Sequence, residues 1–290
     1  MKGNHISQLA KRYVEHDMIQ AHTDLPAFPN ARAELLFAFL NRSKPADEHS
    51  ELYALVTSLV QVGLDTHDMI EMASVQGNDR NLRSRQLKVL AGDYFSSRFY
   101  NLLAQAGQIE AIQSLSQAVC NVNRLKMTMV DKMKQWTMTA EEYLRTCVSL
   151  KKMLFQSFNE RLSAKDVPAW EVLLDHVTEL EVMEQEKERA EHFGRFVGSW
   201  SYWHVWQQGT EEERRKLKQS AFDMSFWHTL MSKYEVHEQL AYQVRAAQDK
   251  LQTIVSTLPV DSVMKQRLGS FLSSIYFPSA QARSASVQQS

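Results

Sequence analysis

Glycine and proline are scarce in this 290-residue chain, at nine and six residues, against average usages of roughly 7% and 5%. Few turns follow, and a many-stranded sheet, which needs a turn at each strand end, is excluded; the chain reads as all-α. Cysteine is scarcer still. Cys120 and Cys147 have no CxxC or Cys/His spacing around them and read as two free thiols in a reducing compartment. The histidines form no HExxH, and His16, His22, His67, His176, His192, His204, His228 and His237 share no ligand spacing, so they predict no metal centre. Net charge is also missing: 33 Lys and Arg oppose 34 Asp and Glu, which leaves no basic footprint for nucleic acid and no polybasic membrane anchor. No uncharged run approaches ~18 residues, and the opening MKGNHISQLAKRY has no apolar stretch of the signal-peptide kind. The expected location is the cytoplasm. A pI near 6.8 suits a protein that works within a complex.

What is present is helix after helix. Apolar spacing predicts a first helix over Ile6–Ala21, broken by Pro26 and Pro29, and a second capped by Asn30 that runs through Leu35, Leu36 and Phe39. A long helix follows over Asp47–Ala73, with Leu59, Gly63, Thr66, Ile70 and Ala73 on one stripe and His67, Asp68 and Glu71 on another side. Gly77–Asn81 reads as a loop, Arg83–Gln105 as a strongly apolar helix, and Gln108–Lys134 as the next. Thr139–Glu142 and Thr210–Glu213 are capping boxes, and Asp166 with Pro168 opens a helix whose run Glu179–Glu191 reads as a solvated face. A last long helix carries Leu240, Val244, Ala247, Leu251, Ile254 and Leu258, and a short one ends at Tyr276. No linker, composition shift or fixed-period repeat divides the series. The expectation is one domain over residues 1–276, about ten helices around a long central pair, with a polar, disordered tail over 277–290.

Three features carry possible chemistry. In LDTHDMIE, Leu64–Glu71, the carboxylates of Asp68 and Glu71 are i,i+3 neighbours and His67 lies i,i+4 from Glu71. Such carboxylates repel unless a cation, a proton or a base neutralises them, so this is either a Mg²⁺-diphosphate turn or a solvated, arginine-paired one. In VLAGDYFSSRFYNLL, Val89–Leu103, apolar residues spread around much of the helix, which fits a central helix or one shared with a partner. Gly92 in mid-helix costs about 1 kcal/mol relative to alanine, so close approach of another backbone is expected there. Asp93 in that setting needs a partner. Trp200, Trp203 and Trp206, at i, i+3 and i+6, form either an aromatic contact strip or, more simply, core packing.

Taken together, the two segments resemble the all-trans polyprenyl diphosphate synthases, whose helices of the types LVHDDVID and AVLAGDYL flank a basic loop. More narrowly, LVQVGLDTHD (Leu59–Asp68) followed by RQLKVLAGDYFS (Arg85–Ser96) is similar to the small-subunit, component 1 family of bacterial heptaprenyl diphosphate synthases. The resemblance implies an isoprenoid-synthase-like helical bundle. It departs from the catalytic pattern at the motifs themselves. His67 stands in place of the first aspartate, Asp68 keeps the second, and Glu71 replaces the last; the Arg-Arg-Gly of the basic loop is absent from MASVQGNDRN, and no second aspartate-rich motif follows. Without two facing acidic helices to clamp metal on the leaving diphosphate, this chain is not expected to ionise substrate. The resemblance therefore implies no catalytic residues and no cofactor in this chain, with Mg²⁺ held by a catalytic large subunit. The weak candidates for substrate or metal are Asp65, His67, Asp68 and Glu71. Val62 and Gly63 are candidates for the floor of a product tunnel. Ala91, Gly92, Asp93, Tyr94, Phe95 and Phe99 are candidates for core or partner interface. The implied role is to support the partner in making the long prenyl chain of menaquinone. An atypical prenyltransferase and an unrelated helical adaptor remain the alternatives.

Overall fold

A computed structural model of the chain describes residues 5–15, 19, 24–42, 48–70, 79–219 and 222–276. Among them are twelve α-helices, and the fold is all-α, as the turn-poor composition requires. They are α1 (His5–Val14), α2 (Asn30–Arg42), α3 (Ser50–Asp68), α4 (Asp79–Gln105), α5 (Ile109–Lys134), α6 (Ala140–Gln156), α7 (Val167–Ala190), α8 (Trp200–Gln208), α9 (Glu211–Lys218), α10 (Met224–Lys233), α11 (Val236–Thr257) and α12 (Ser262–Tyr276). They form two compact units. One comprises Met1–Val119, Leu154–Glu171 and Pro259–Ser290, the other Cys120–Met153 and Val172–Leu258.

The first unit is built around α3, which contacts α1, α2 and, most extensively, α4. Tyr53, Ala54, Val56, Leu59 and Val60 are wholly inaccessible to solvent. The single apolar stripe expected here is too narrow a reading, because α3 is buried almost all the way round. A helix so enclosed needs its hydroxyls satisfied locally, and Thr57, Ser58 and Thr66 each donate to the carbonyl four residues back. Phe39 of α2 packs on Trp170 with ring centroids 5.6 Å apart. Arg42 at the end of α2 reaches Asp166, before α7, at 3.3 Å and Asp261, which caps α12, at 2.8 Å.

Several expected boundaries move. The first helix ends at Val14 rather than Ala21, and Asn30 is the first helical residue of α2 rather than its cap. The α3 helix stops at Asp68, with Met69 and Ile70 beyond it, while Asp79–Asn81, expected as loop, already belong to α4. The expected helix segment Glu71–Ala73, the glycine of the loop and the polar tail lie outside the described residues.

In the second unit a buried carboxylate organises the packing. Glu186, expected on a solvated face, is 6% exposed. It accepts hydrogen bonds from Tyr143 Oη at 2.8 Å and from the backbone N–H of Trp200 at 2.7 Å, and Arg189 lies 3.5 Å away. The i,i+4 pattern of the surrounding charges hides this, since both hydrogen-bond donors come from α6 and α8 and only Arg189 comes from α7 itself. Burial, reinforced by the Glu186 charge, pushes the Cys147 thiol up to about 12. Trp200 and Trp203 are core residues, 3% and 2% exposed, and Trp206 is half-buried. Trp136 just past α5 sits in the left-handed region, φ 60°, at a position where glycine is the usual choice. Its N–H and that of Thr137 cap the helix end on the carbonyls of Met133 and Lys132. Its ring packs on Trp206 at 4.5 Å and Trp203 at 6.1 Å.

Candidate functional site

The acidic turn lies at the C-terminal end of α3, where the helix dipole and the orphan carbonyls already concentrate negative charge. The side chains there are engaged by the chain itself. Gln61 Nε2 donates to Asp65 Oδ1 at 2.9 Å, and Gln61 Oε1 in turn accepts from Arg32 Nη1 at 3.3 Å. His67 Nε2 lies 3.4 Å from Asp93 Oδ1 on α4. Asp68 is exposed, and Glu71 lies outside the described residues. Lys88 Nζ of α4 donates to the Met69 carbonyl at 3.4 Å, directly past the helix end.

The α3–α4 crossing explains both glycines. A Cβ on Gly63 would stand 3.0 Å from the Gly92 carbonyl and 3.1 Å from the Ser96 nitrogen; one on Gly92 would meet the His67 ring at 2.6 Å. The contacts at Gly63 are tighter than most real Cβ contacts, so the α4 backbone lies this close to α3 because Gly63 lacks a side chain, while the missing Cβ of Gly92 leaves room for the His67 ring. Val62, 1% exposed, packs in one apolar cluster with Ile19, Ala91 and Phe95, flanked by Leu25, Phe28 and Tyr94. The small size of Gly63 thus serves the helix crossing, and Val62 is covered by apolar neighbours.

Of the α4 candidates, Ala91, Gly92 and Phe95 are buried, Tyr94 and Phe99 are half-buried, and Asp93 is exposed beside His67. Tyr94 stacks under Arg98, whose guanidinium lies 4.8 Å from the ring and also donates to Tyr94 Oη at 3.1 Å. The helix is not apolar-buried on all sides: Val89, Leu90 and Tyr100 are 40%, 63% and 59% exposed.

A divalent metal needs several convergent carboxylates or imidazoles. Among the described residues no three His, Cys, Asp or Glu side chains come together as such a set. Asp65 faces an amide, and His67 faces a carboxylate on another helix, so these residues do not fit a metal-diphosphate site. Sequence reasoning missed Arg32 and Gln61. The signal was there for Arg32, which shares a helical face with Leu35, Leu36 and Phe39 and so had to be buried with them; Arg32 is 2% exposed.

Residues 16–224 match the family described as heptaprenyl diphosphate synthase (HEPPP synthase) subunit 1. The chain belongs to this family. Among curated proteins, it is 37% identical over 93 residues to heptaprenyl diphosphate synthase component 1 of Geobacillus stearothermophilus, a match spanning 32% of this chain and 40% of that relative. Among solved structures, it superposes on a decaprenyl diphosphate synthase from Rhodobacter capsulatus with TM-score 0.65 at 14% identity, covering 94% of each chain. A geranylgeranyl pyrophosphate synthase from Lactobacillus brevis gives TM-score 0.67 at 14% identity, again over 94% of each. The heptaprenyl diphosphate synthase of Staphylococcus aureus gives 0.61 at 11% identity, over 93% of this chain and 98% of that one. These likenesses establish the isoprenoid-synthase-like fold of this family member. No helix among its described residues is long and apolar enough to cross a membrane.

Proposed function

We propose that this chain is the non-catalytic, accessory subunit of a two-component heptaprenyl diphosphate synthase. It pairs in the cytoplasm with a catalytic large subunit that holds the Mg²⁺ and both diphosphates. The product would be the side-chain precursor of menaquinone. The observation that carries the reading is the state of the acidic turn. In a chain of this family and fold, Asp65 is bonded to Gln61 and His67 is paired with Asp93. Ionising an allylic diphosphate leaves charge on the departing group, which needs metal or a preorganised cluster of donors to receive it. Side chains already committed to one another cannot supply that. The outward Leu90 and Tyr100 of α4 offer the large partner an apolar face, and Val62 and Gly63 would act on chain length only through that contact.

The test is to purify this chain, its large subunit and their mixture, and to assay each with farnesyl and isopentenyl diphosphates. Long-chain product is expected from the mixture alone. Product from this chain by itself would sink the proposal.

A further inference from the structure

We infer that Arg32, relayed through the Gln61 amide, is a built-in counter-ion that does for the acidic end of α3 what a divalent cation does in a metal-binding helix. This rests on the accessory reading and extends it to how the fold tolerates the turn without metal. Asp65 and Asp68 occupy the last turn of α3, where carboxylates meet the negative end of the helix dipole and are least favourable. Arg32 is only 2% exposed. A buried guanidinium is costly unless anions or oriented dipoles face it. The Gln61 side chain, 3% exposed, supplies such a dipole. Its oxygen accepts from the guanidinium at 3.3 Å while its nitrogen donates to Asp65 at 2.9 Å. The amide therefore points its positive end at the carboxylate and its negative end at the cation, coupling two groups that sit on different helices. The guanidinium is further held 4.9 Å over the Phe155 ring, a cation–π contact that strengthens in a dry setting. Lys88 at the Met69 carbonyl adds a second protein cation at the same helix end. The file runs from α2 to the last turn of α3 within one compact unit. An acidic turn of this kind, left without Arg32, would recover the need for a cation.

The full-length chain tests this with Mn²⁺ alone as probe, bound metal being read from the loss of the free-ion electron paramagnetic resonance signal, alongside thermal unfolding with and without Mg²⁺. Wild type is expected to take up no stoichiometric Mn²⁺ and to melt identically in Mg²⁺ and in chelator. Arg32→Met is expected to melt lower, to regain part of the loss in Mg²⁺, and to bind Mn²⁺ in a manner abolished by adding Asp65→Asn. Gln61→Leu cuts the file while keeping both charges, and is expected to show the same metal dependence in weaker form. It decides the matter if Arg32→Met does not fold. Stoichiometric Mn²⁺ on wild type, lost in Asp65→Asn, would overturn the inference, and so would a Gln61→Leu variant indistinguishable from wild type. Mn²⁺ on wild type would also remove the argument drawn from the acidic turn, whereas a Gln61→Leu variant like wild type would not; the accessory role itself falls only if this chain makes product by itself.

Discussion

Glu213 shows at the scale of one residue how much of a local motif depends on distant partners. Thr210 and Glu213 cap α9 reciprocally, the threonine hydroxyl accepting from the Glu213 N–H at 3.3 Å and the carboxylate accepting from the Thr210 N–H at 2.8 Å. The same carboxylate accepts from Lys233 at 2.7 Å and from Tyr234 at 2.6 Å, tying α9 to the end of α10. Burial raises the Glu213 pKa, but the bonds from Lys233, Tyr234 and Thr210 outweigh it and lower it from 4.5 to about 2. A carboxyl depressed on folding contributes stability that is complete above 4.5 and is lost as pH falls from there through about 2. After screening by solvent, Glu213→Gln should lose about 1 kcal/mol at neutral pH and show a flatter acid limb in unfolding experiments than wild type over that window. The capping box was legible in Thr210–Glu213, since it lies within one turn. Lys233 and Tyr234, about twenty positions on, left no mark in the local pattern.

At the scale of elements, the crossing of α3 and α4 places Leu59–Asp68 and Arg85–Ser96 on helices packed against each other. Gly63→Ala would press a methyl into the Gly92 carbonyl and the Ser96 nitrogen, backbone atoms that cannot turn aside. The expected cost is about 1–3 kcal/mol. Gly92→Ala presses first on the His67 ring, a partly exposed side chain that can swing away at the expense of its pair with Asp93. The gain in helix propensity, about 1 kcal/mol, offsets part of that loss, so chemical denaturation should rank Gly63→Ala as clearly the more damaging. Equal effects would mean that the helices are not held at this distance. Gly92 was legible as a close-approach site because glycine in mid-helix has no propensity reason to be there. Its partner was not legible, because nothing in either helix alone states which face of one meets which residue of the other.

At the scale of the molecule, the exposed face of α4 is where the proposed pairing has consequences. Leu90 and Tyr100, 63% and 59% exposed, can be replaced without opening a cavity. Leu90→Asp with Tyr100→Ser should leave the melting temperature of the isolated chain within a few degrees of wild type. Product formed by the reconstituted pair at limiting subunit should fall about tenfold or more, as for central interface anchors. Unchanged product would remove this face from the interface.

Scarce glycine and proline, period-3.6 apolar spacing and two capping boxes determined the helical class and most helix positions, because helix formation is decided within a few turns of chain. The segments Leu59–Asp68 and Arg85–Ser96 likewise pointed to the family, because the resemblance rests on short contiguous runs. Tertiary structure alone decided that α3 is enclosed on nearly every side, that Glu186 is buried, and that the Asp65 end of α3 is bonded through Gln61 to Arg32. Each of these depends on residues far apart in sequence meeting across helices, and only the packed fold states which charge faces which.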